Sequence, residues 1–291
     1  MNQRISEYDA FGPWIYEIDG QHALPAVFAG HLDESVSPLM LVKIPVDAER
    51  RSLKPGMLMY DCVIGLYADH LLLLRYSGGS VSETTIAYAS IRALAYSIDL
   101  LRGEFDIHTK EGRHSVKFNA ASEPLMQKLI AIMRNKITNT GRHGILDGLA
   151  ELNADFGFFF RGLADAMKKQ DASLRVIGYQ GQTDLRYRKR GLVSTLVERM
   201  MRPCLAGSLH LLGEKELIII NRGNASDFRR HPIHKYGFTY IPAAAILGIS
   251  KGACTEFRDV IEYSIRLDAP DITLRRHESC RTLSYLDRFC G

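Results

Sequence analysis

Apolar positions recur with the same spacing in two stretches, Thr85–Ser97 and Tyr240–Ser250. Ile86, Ile91 and Leu94 in the first answer to Ile241, Ile246 and Ile249 in the second, 155 residues on in each case. Around the first stretch the pattern predicts strands. Leu39–Val46 is a β-branched and apolar run, and Met57–Tyr67 is another. Ala68-Asp69 makes a tight turn into His70–Tyr76, a continuous apolar segment suited to a strand buried on both faces. Ser82–Tyr88 and Ile91–Ile98 follow. Glu104–Thr109 and Ser115–Asn119 alternate around the turn Lys110-Glu111-Gly112-Arg113 and predict a hairpin. A helix closes this unit, with Ser122 as N-cap, Pro124 in its first turn, and Leu125, Leu129, Ile132, Met133 and Ile137 on one face.

The order then repeats. Ile145–Lys169 reads as predominantly helical, broken near Asn153–Gly157 into two short helices. Leu174–Tyr179 is a strand, Gly191–Met201 a short helix, and Leu205–Leu212 and Glu216–Asn221 are strands joined by Gly213-Glu214-Lys215. This pair sits about 146 residues beyond Met57–Leu74, so the growth of the offset to 155 places about nine extra residues in Gly223–Tyr236. Ile261–Leu267, a turn at Asp268–Asp271, and Ile272–Arg276 precede a last short helix marked by Leu283, Leu286 and Phe289. The expected organisation is an arm over 1–37, one β-rich unit over 38–138, a helical linker over 139–171, and a second β-rich unit over 172–291.

Composition supports two cores, since 291 residues with 46% hydrophobic content suffice for two ordinary domains. No apolar run reaches the roughly 18 residues of a membrane span, and the N-terminus carries Glu7 and Asp9 where a secretory signal would be basic. Five scattered cysteines without a C-x-x-C pair suit free thiols in a reducing compartment, so a soluble cytoplasmic protein is expected. The net charge is only +4, yet Gln182–Arg202 holds six basic residues (Arg186, Arg188, Lys189, Arg190, Arg199, Arg202) against Asp184 and Glu198.

Short antiparallel strands closed by an amphipathic helix predict an α+β fold of two small, partly open β-barrels. The segments L-Y-A-D-H-L-L-L-L (Leu66–Leu74) and L-H-L-L-G-E-K-E-L-I-I-I (Leu209–Ile220) are similar to the strand-turn-strand pattern of bacterial pleckstrin-homology-like (PH-like) domains. Ile241-Pro242 with Ile246 and Ile249 resembles a second pattern of that superfamily, and Ile86-Ala87 with Ile91 and Leu94 follows it less closely. Residues 38–138 and 172–291 thus resemble a tandem of bacterial PH-like domains, with the arm and the central helices outside the match, and the resemblance implies no activity.

In phosphoinositide-binding members of the pleckstrin superfamily, a basic residue on the first strand and an R-x-R on the next hold phosphates. The resemblance therefore points to Arg175, Arg186 and Arg188, with Lys189 and Arg190 beside them, as an anion-binding set for an anionic membrane surface or phosphorylated ligand. Arginine suits phosphate through its planar two-donor fork. Lys189-Arg190-Gly191 departs from the family, which keeps strand hydrophobics there. The leading expectation is a non-enzymatic scaffold for a protein partner or for self-association through open sheet edges. The aromatic candidate for interaction is Trp14, after Gly12-Pro13, against the alternative that this arm packs across a domain surface. Phosphate-loop, dinucleotide, nucleophile-elbow and H-E-x-x-H motifs are absent, so neither enzyme activity nor a cofactor is expected. His231 and His234 are flanked by Arg229, Arg230 and Lys235, which repel a metal cation, and no interleaved aromatics beside the basic segment point to nucleic acid.

Overall fold

The computed structural model describes residues 14–33, 35–48, 52, 54–138, 146, 148–189, 191–224, 226–228 and 233–290. It is α+β, with mostly antiparallel sheets, few helices and no closed barrel among those residues. The chain divides into two compact units that do not follow chain order. The first takes Met1–Ile91, Leu101–Phe105 and Ser115–Ile137, and the second takes Arg92–Leu100, Asp106–His114 and Thr138–Gly291.

The first unit is built on an antiparallel sheet in the order β1 (Tyr16–Glu17), β2 (Met40–Pro45), β3 (Tyr60–Leu66), β4 (His70–Ser77), β5 (Ser80–Ala87). The continuous apolar runs become its centre: all six residues of β2 are buried, and β4 buries Leu71, Leu72, Leu73 and Leu74. Lys43 is buried with them because its ammonium donates to the Ala23 carbonyl at 2.9 Å and lies 4.4 Å over the Tyr60 ring. Three further strands and a helix follow in the chain: β6 (Ile91–Asp99), β7 (Arg102–Thr109), β8 (Gly112–Asn119) and α1 (Glu123–Ile137).

The α1 helix buries Met126, Leu129, Ile130, Met133 and Ile137 rather than the face through Leu125 and Ile132. Nor does Ser122 cap it. The Asn119 side chain accepts from the Ala121 N–H at 2.9 Å and caps a one-turn 3-10 segment, Ala120–Ser122, that leads into the helix. The buried Ser122 hydroxyl instead accepts the Ile15 N–H at 2.8 Å.

The second unit holds α2 (Phe158–Gln170), β9 (Arg175–Gln180), β10 (Thr183–Asp184), α3 (Leu192–Met201), β11 (Pro203–Leu205), β12 (Gly207–Leu212), β13 (Glu216–Arg222), β14 (Asp227–Phe228), β15 (Tyr236–Pro242), β16 (Ile246–Ala253), β17 (Val260–Leu267), β18 (Ala269–His277) and α4 (Tyr285–Arg288). Its core packs Ile219, Ile241 and Leu217 from one sheet against Ile249, Tyr263 and Ile265 of the sheet β16-β17-β18, with Leu283 and Leu286 covering them. The expected helix through Ile145–Lys169 is reduced to α2. Leu146 and Leu149 are buried in this core but not helical: Gly148 takes φ +79, and the Leu152 N–H donates to the Val176 carbonyl at 2.6 Å. The last helix is also shorter than its apolar spacing suggests, four residues long.

The duplicated pattern is present as matching strand registers. Leu66 faces Leu71 and Leu71 faces Ile86 in the first copy; Leu212 faces Leu217 and Leu217 faces Ile241 in the second. Single 3-10 turns, Tyr88–Ser90 and Ala243–Ala245, separate β5 from β6 and β15 from β16 at the same 155-residue offset. All six repeated apolar residues, Ile86, Ile91, Leu94, Ile241, Ile246 and Ile249, are buried. The extra residues of the second copy include β14, which pairs with β11 in a small sheet, β10-β11-β14. The strands expected in two separate barrels nevertheless meet in one sheet, ordered β8-β7-β6-β15-β13-β12-β9, because β6 pairs antiparallel with β15.

Candidate functional site

The α3 helix follows the basic segment and is tied down at both ends. At its start the Ser194 hydroxyl accepts the Gly191 N–H at 2.8 Å and reaches the Lys189 carbonyl at 3.1 Å, half of a capping box. At its end Arg202 adopts the left-handed conformation, φ 52 and ψ 73, with Pro203 next to stop the helix. The preceding segment is held by the β16–β17 connection. The Arg188 N–H donates to the Glu256 carbonyl and the Arg258 N–H to the Arg186 carbonyl, each at 2.8 Å, while the Tyr187 and Phe257 rings lie 5.1 Å apart. Beneath them Leu185, Leu205, Cys254, Phe257 and Val260 form a small buried cluster.

The helix is turned the opposite way from a surface helix that packs on a core. Glu198 lies on its polar side and accepts the Tyr187 N–H at 2.6 Å, fixing that side to the body of the unit. At 3.6 residues per turn, Leu192, Leu196 and Met200 share the other side with Val193. These four are 93%, 57%, 53% and 75% exposed, and no residue of the helix is buried. The half-buried side holds Ser194, Val197, Glu198 and Met201, and the outward apolar face has no partner among the described residues.

Basic side chains lie on one flank of this helix. Arg186, Lys189 and Arg199 are exposed and make no ion pair among the described residues. Arg186, Arg199 and Arg202 line a shallow depression of about 320 Å³ together with Asp184, Glu198 and Thr195. Arg202 is 3.3 Å from Asp184, an exposed pair that leaves its remaining donors for another anion. The arrangement can therefore place a phosphate among guanidinium groups beside a strip of apolar surface.

The residues expected from sequence are distributed differently. Arg186, Arg188 and Lys189 stand in this segment, although the Arg188 Nε is used on the Cys254 carbonyl at 3.0 Å. Arg190 lies outside the described residues. Arg175 stands at the opposite end of β9 from the turn that leads to Arg186, about 17 Å along the strand from Gln180 at some 3.3 Å per residue. The structure does not bring it to the group. Its place is taken by Arg199 and Arg202, which the local charge excess includes but the strand-based comparison does not point to. Trp14 is 46% exposed, directly before the buried Ile15 in the first unit. His231 is outside the described residues, and among them no group of three or more His, Cys, Asp or Glu could hold a metal ion. No helix of the described residues is long and apolar enough to cross a membrane.

Comparison with family models, with curated proteins and with solved structures returns no match to this chain.

Proposed function

We propose that this chain is a non-enzymatic binding protein that docks on an anionic membrane surface through α3 and the basic residues around it. The observation that carries the reading is the outward apolar face of α3, flanked by cations that make no ion pair among the described residues. Magnitudes separate the two contributions. Three free cations at an anionic leaflet contribute about 1 kcal/mol each. Burying four aliphatic side chains contributes about 1.5–3 kcal/mol each when complete, so even half-burial matches the charge contribution. Binding should therefore weaken with salt but persist in part. The equal registers of the two copies, and the helix that ends the first, support a PH-like reading of each. Five free cysteines support a reducing compartment such as the cytoplasm.

The test is co-sedimentation of the full chain with phosphatidylcholine vesicles, with and without phosphatidylglycerol, at low and high salt. Leu192→Ser with Leu196→Ser should weaken binding to anionic vesicles at least tenfold, and Arg186→Ala with Arg199→Ala should remove the preference for them. Equal affinity for neutral and anionic vesicles, or unchanged affinity in the leucine variant, sinks the proposal. A second reading, a scaffold that joins chains through sheet edges, is favoured by a separate observation: β5 ends its five-stranded sheet and β16 ends its three-stranded one.

A further inference from the structure

We propose that β5 of one chain pairs antiparallel with β16 of a second copy, joining copies head to tail in the same way that β15 pairs with β6 inside the chain. The inference rests on the scaffold reading and not on the membrane one. Its starting point is that the internal joint has a register, Tyr236 with Ile98, Gly237 with Ser97, Phe238 with Tyr96, Thr239 with Ala95, and Tyr240 with Leu94. By the 155-residue repeat, β5 is the counterpart of β15, and β16 is the counterpart of β6. Each half of the joint is thus present a second time, and there it ends a sheet. Moving the register by 155 places Val81 opposite Ala253, Ser82 opposite Gly252, Glu83 opposite Lys251, and Thr84 opposite Ser250.

Two features of the strands fit this transferred register independently of the repeat. Phe238 and Tyr96 stack at the centre of the internal joint, and their counterparts are Glu83 and Lys251, both exposed and of opposite charge. The internal joint also closes on a glycine. A Cβ on Gly237 would lie 2.9 Å from the Tyr96 carbonyl oxygen and 3.1 Å from the Ser97 Cβ. The transferred register again sets serine against glycine, Ser82 against Gly252, and a Cβ on Gly252 would meet nothing within 4 Å in the single chain.

The edges also discriminate. Neither β5 with β5 nor β16 with β16 can set Glu83 against Lys251, and centred on these residues such pairs would oppose like charges, so the mixed pair is the one that brings the opposite charges together. On β16 the isolated bridge from Ile249 to Cys290 marks where the new pairing stops, leaving Ser250–Ala253 for it. In the free chain Glu83 lies 3.6 Å from His31 and Lys251 lies 3.3 Å from Asp287, exposed contacts that the new pair exchanges at little loss. A head-to-tail contact of this kind builds rings or filaments rather than two-fold dimers.

The experiment is light scattering on the full chain over a concentration series without lipid. All samples carry Leu192→Ser and Leu196→Ser, so that association through α3 does not register. The parent should assemble in a concentration-dependent way. Glu83→Lys alone and Lys251→Glu alone should each raise the dissociation constant at least tenfold, and an equimolar mixture of the two should restore assembly, since every mixed edge is then oppositely charged. A parent that stays monomeric overturns both this inference and the reading of a scaffold that joins chains through sheet edges. A parent that assembles while either charge variant assembles as well, or while the mixture is not restored, overturns the β5–β16 contact and leaves the scaffold reading standing on another surface.

Discussion

The rings of Tyr96 and Phe238 lie 7° from parallel with centroids 5.1 Å apart, and the two residues are direct partners across β6 and β15. The strand that opens one sheet of the first copy is therefore held against the second copy's sheet by an aromatic pair as well as by its ladder. Both residues are buried. Phe238→Ala should lower unfolding free energy by about 3–5 kcal/mol, the usual cost of emptying a buried aromatic site. A double-mutant cycle with Tyr96→Ala, read by urea denaturation, should show a coupling of about 0.5–1.5 kcal/mol. A coupling of zero would leave the pair with area burial alone.

Gly237 and Gly252 should respond oppositely to the same change. Gly237→Ala drives a methyl against the Tyr96 carbonyl, which is fixed in the ladder and cannot move aside, so a loss of about 1–3 kcal/mol is expected. Gly252→Ala meets nothing within 4 Å and should leave the single chain's stability within about 0.5 kcal/mol, or slightly raised. Thermal melts of both variants at low concentration make the comparison. Similar losses in the two would mean that the close approach at Gly237 is relieved by strand movement.

His210 on β12 is fully buried and its Nδ1 shares a 2.6 Å hydrogen bond with the Tyr285 hydroxyl of α4. Burial pushes the imidazole down to about 3 and pushes the Tyr285 phenol upward. The sign follows from proton uptake. Below about 6.5 the unfolded chain protonates this histidine while the folded chain does not, so stability is complete above about 6.5 and falls as pH drops toward 3. The slope contributed is about 1.4 kcal/mol per pH unit. His210→Gln should flatten the decline between pH 6 and pH 4 in denaturant titrations, whatever it does to stability at neutral pH. An unchanged slope would show that other groups set it.

Much of this architecture can be read from the chain, because β4 and β13 hold the apolar runs Leu71–Leu74 and Leu217–Ile220, β2 is apolar but for Lys43, and the Ile86 to Ile241 repeat carries identical strand registers. What is not legible depends on distant partners. The pairing of β6 with β15 turns on the fit of Gly237 to Ser97, which no local pattern records. Leu146 and Leu149 keep helical spacing, yet Gly148 and the bond from Leu152 to β9 hold that segment out of a helix. The helix at Leu192–Met201 is visible from its periodicity, but its orientation is not. The bond from the Tyr187 N–H to Glu198 holds that side inward, with Val197 and Met201 half-buried beside it, and leaves Leu192 and Leu196 facing solvent. The basic cluster is evident from charge alone, whereas its membership required the fold to exclude Arg175 and to bring in Arg199 and Arg202.

Arg202 offers a test in which stability and binding separate. A non-glycine residue at φ 52 carries a penalty of about 1–2 kcal/mol that glycine avoids. Glycine in turn costs about 0.4–1 kcal/mol through the freer unfolded chain, and the exposed contact with Asp184 contributes about 0–1 kcal/mol. The sum leaves Arg202→Gly between about 1 kcal/mol less and about 1.6 kcal/mol more stable than the parent, while Arg202→Ala, which keeps the backbone penalty and loses the contact, should be the less stable of the two. If the guanidinium serves an anionic headgroup in the depression with Arg186 and Arg199, both variants should lose affinity for phosphatidylglycerol vesicles equally despite their different stabilities. Denaturant melts paired with vesicle co-sedimentation give both readings. Affinities that follow the stability order would show Arg202 acting through the helix end, and unchanged affinity in both would remove it from the site.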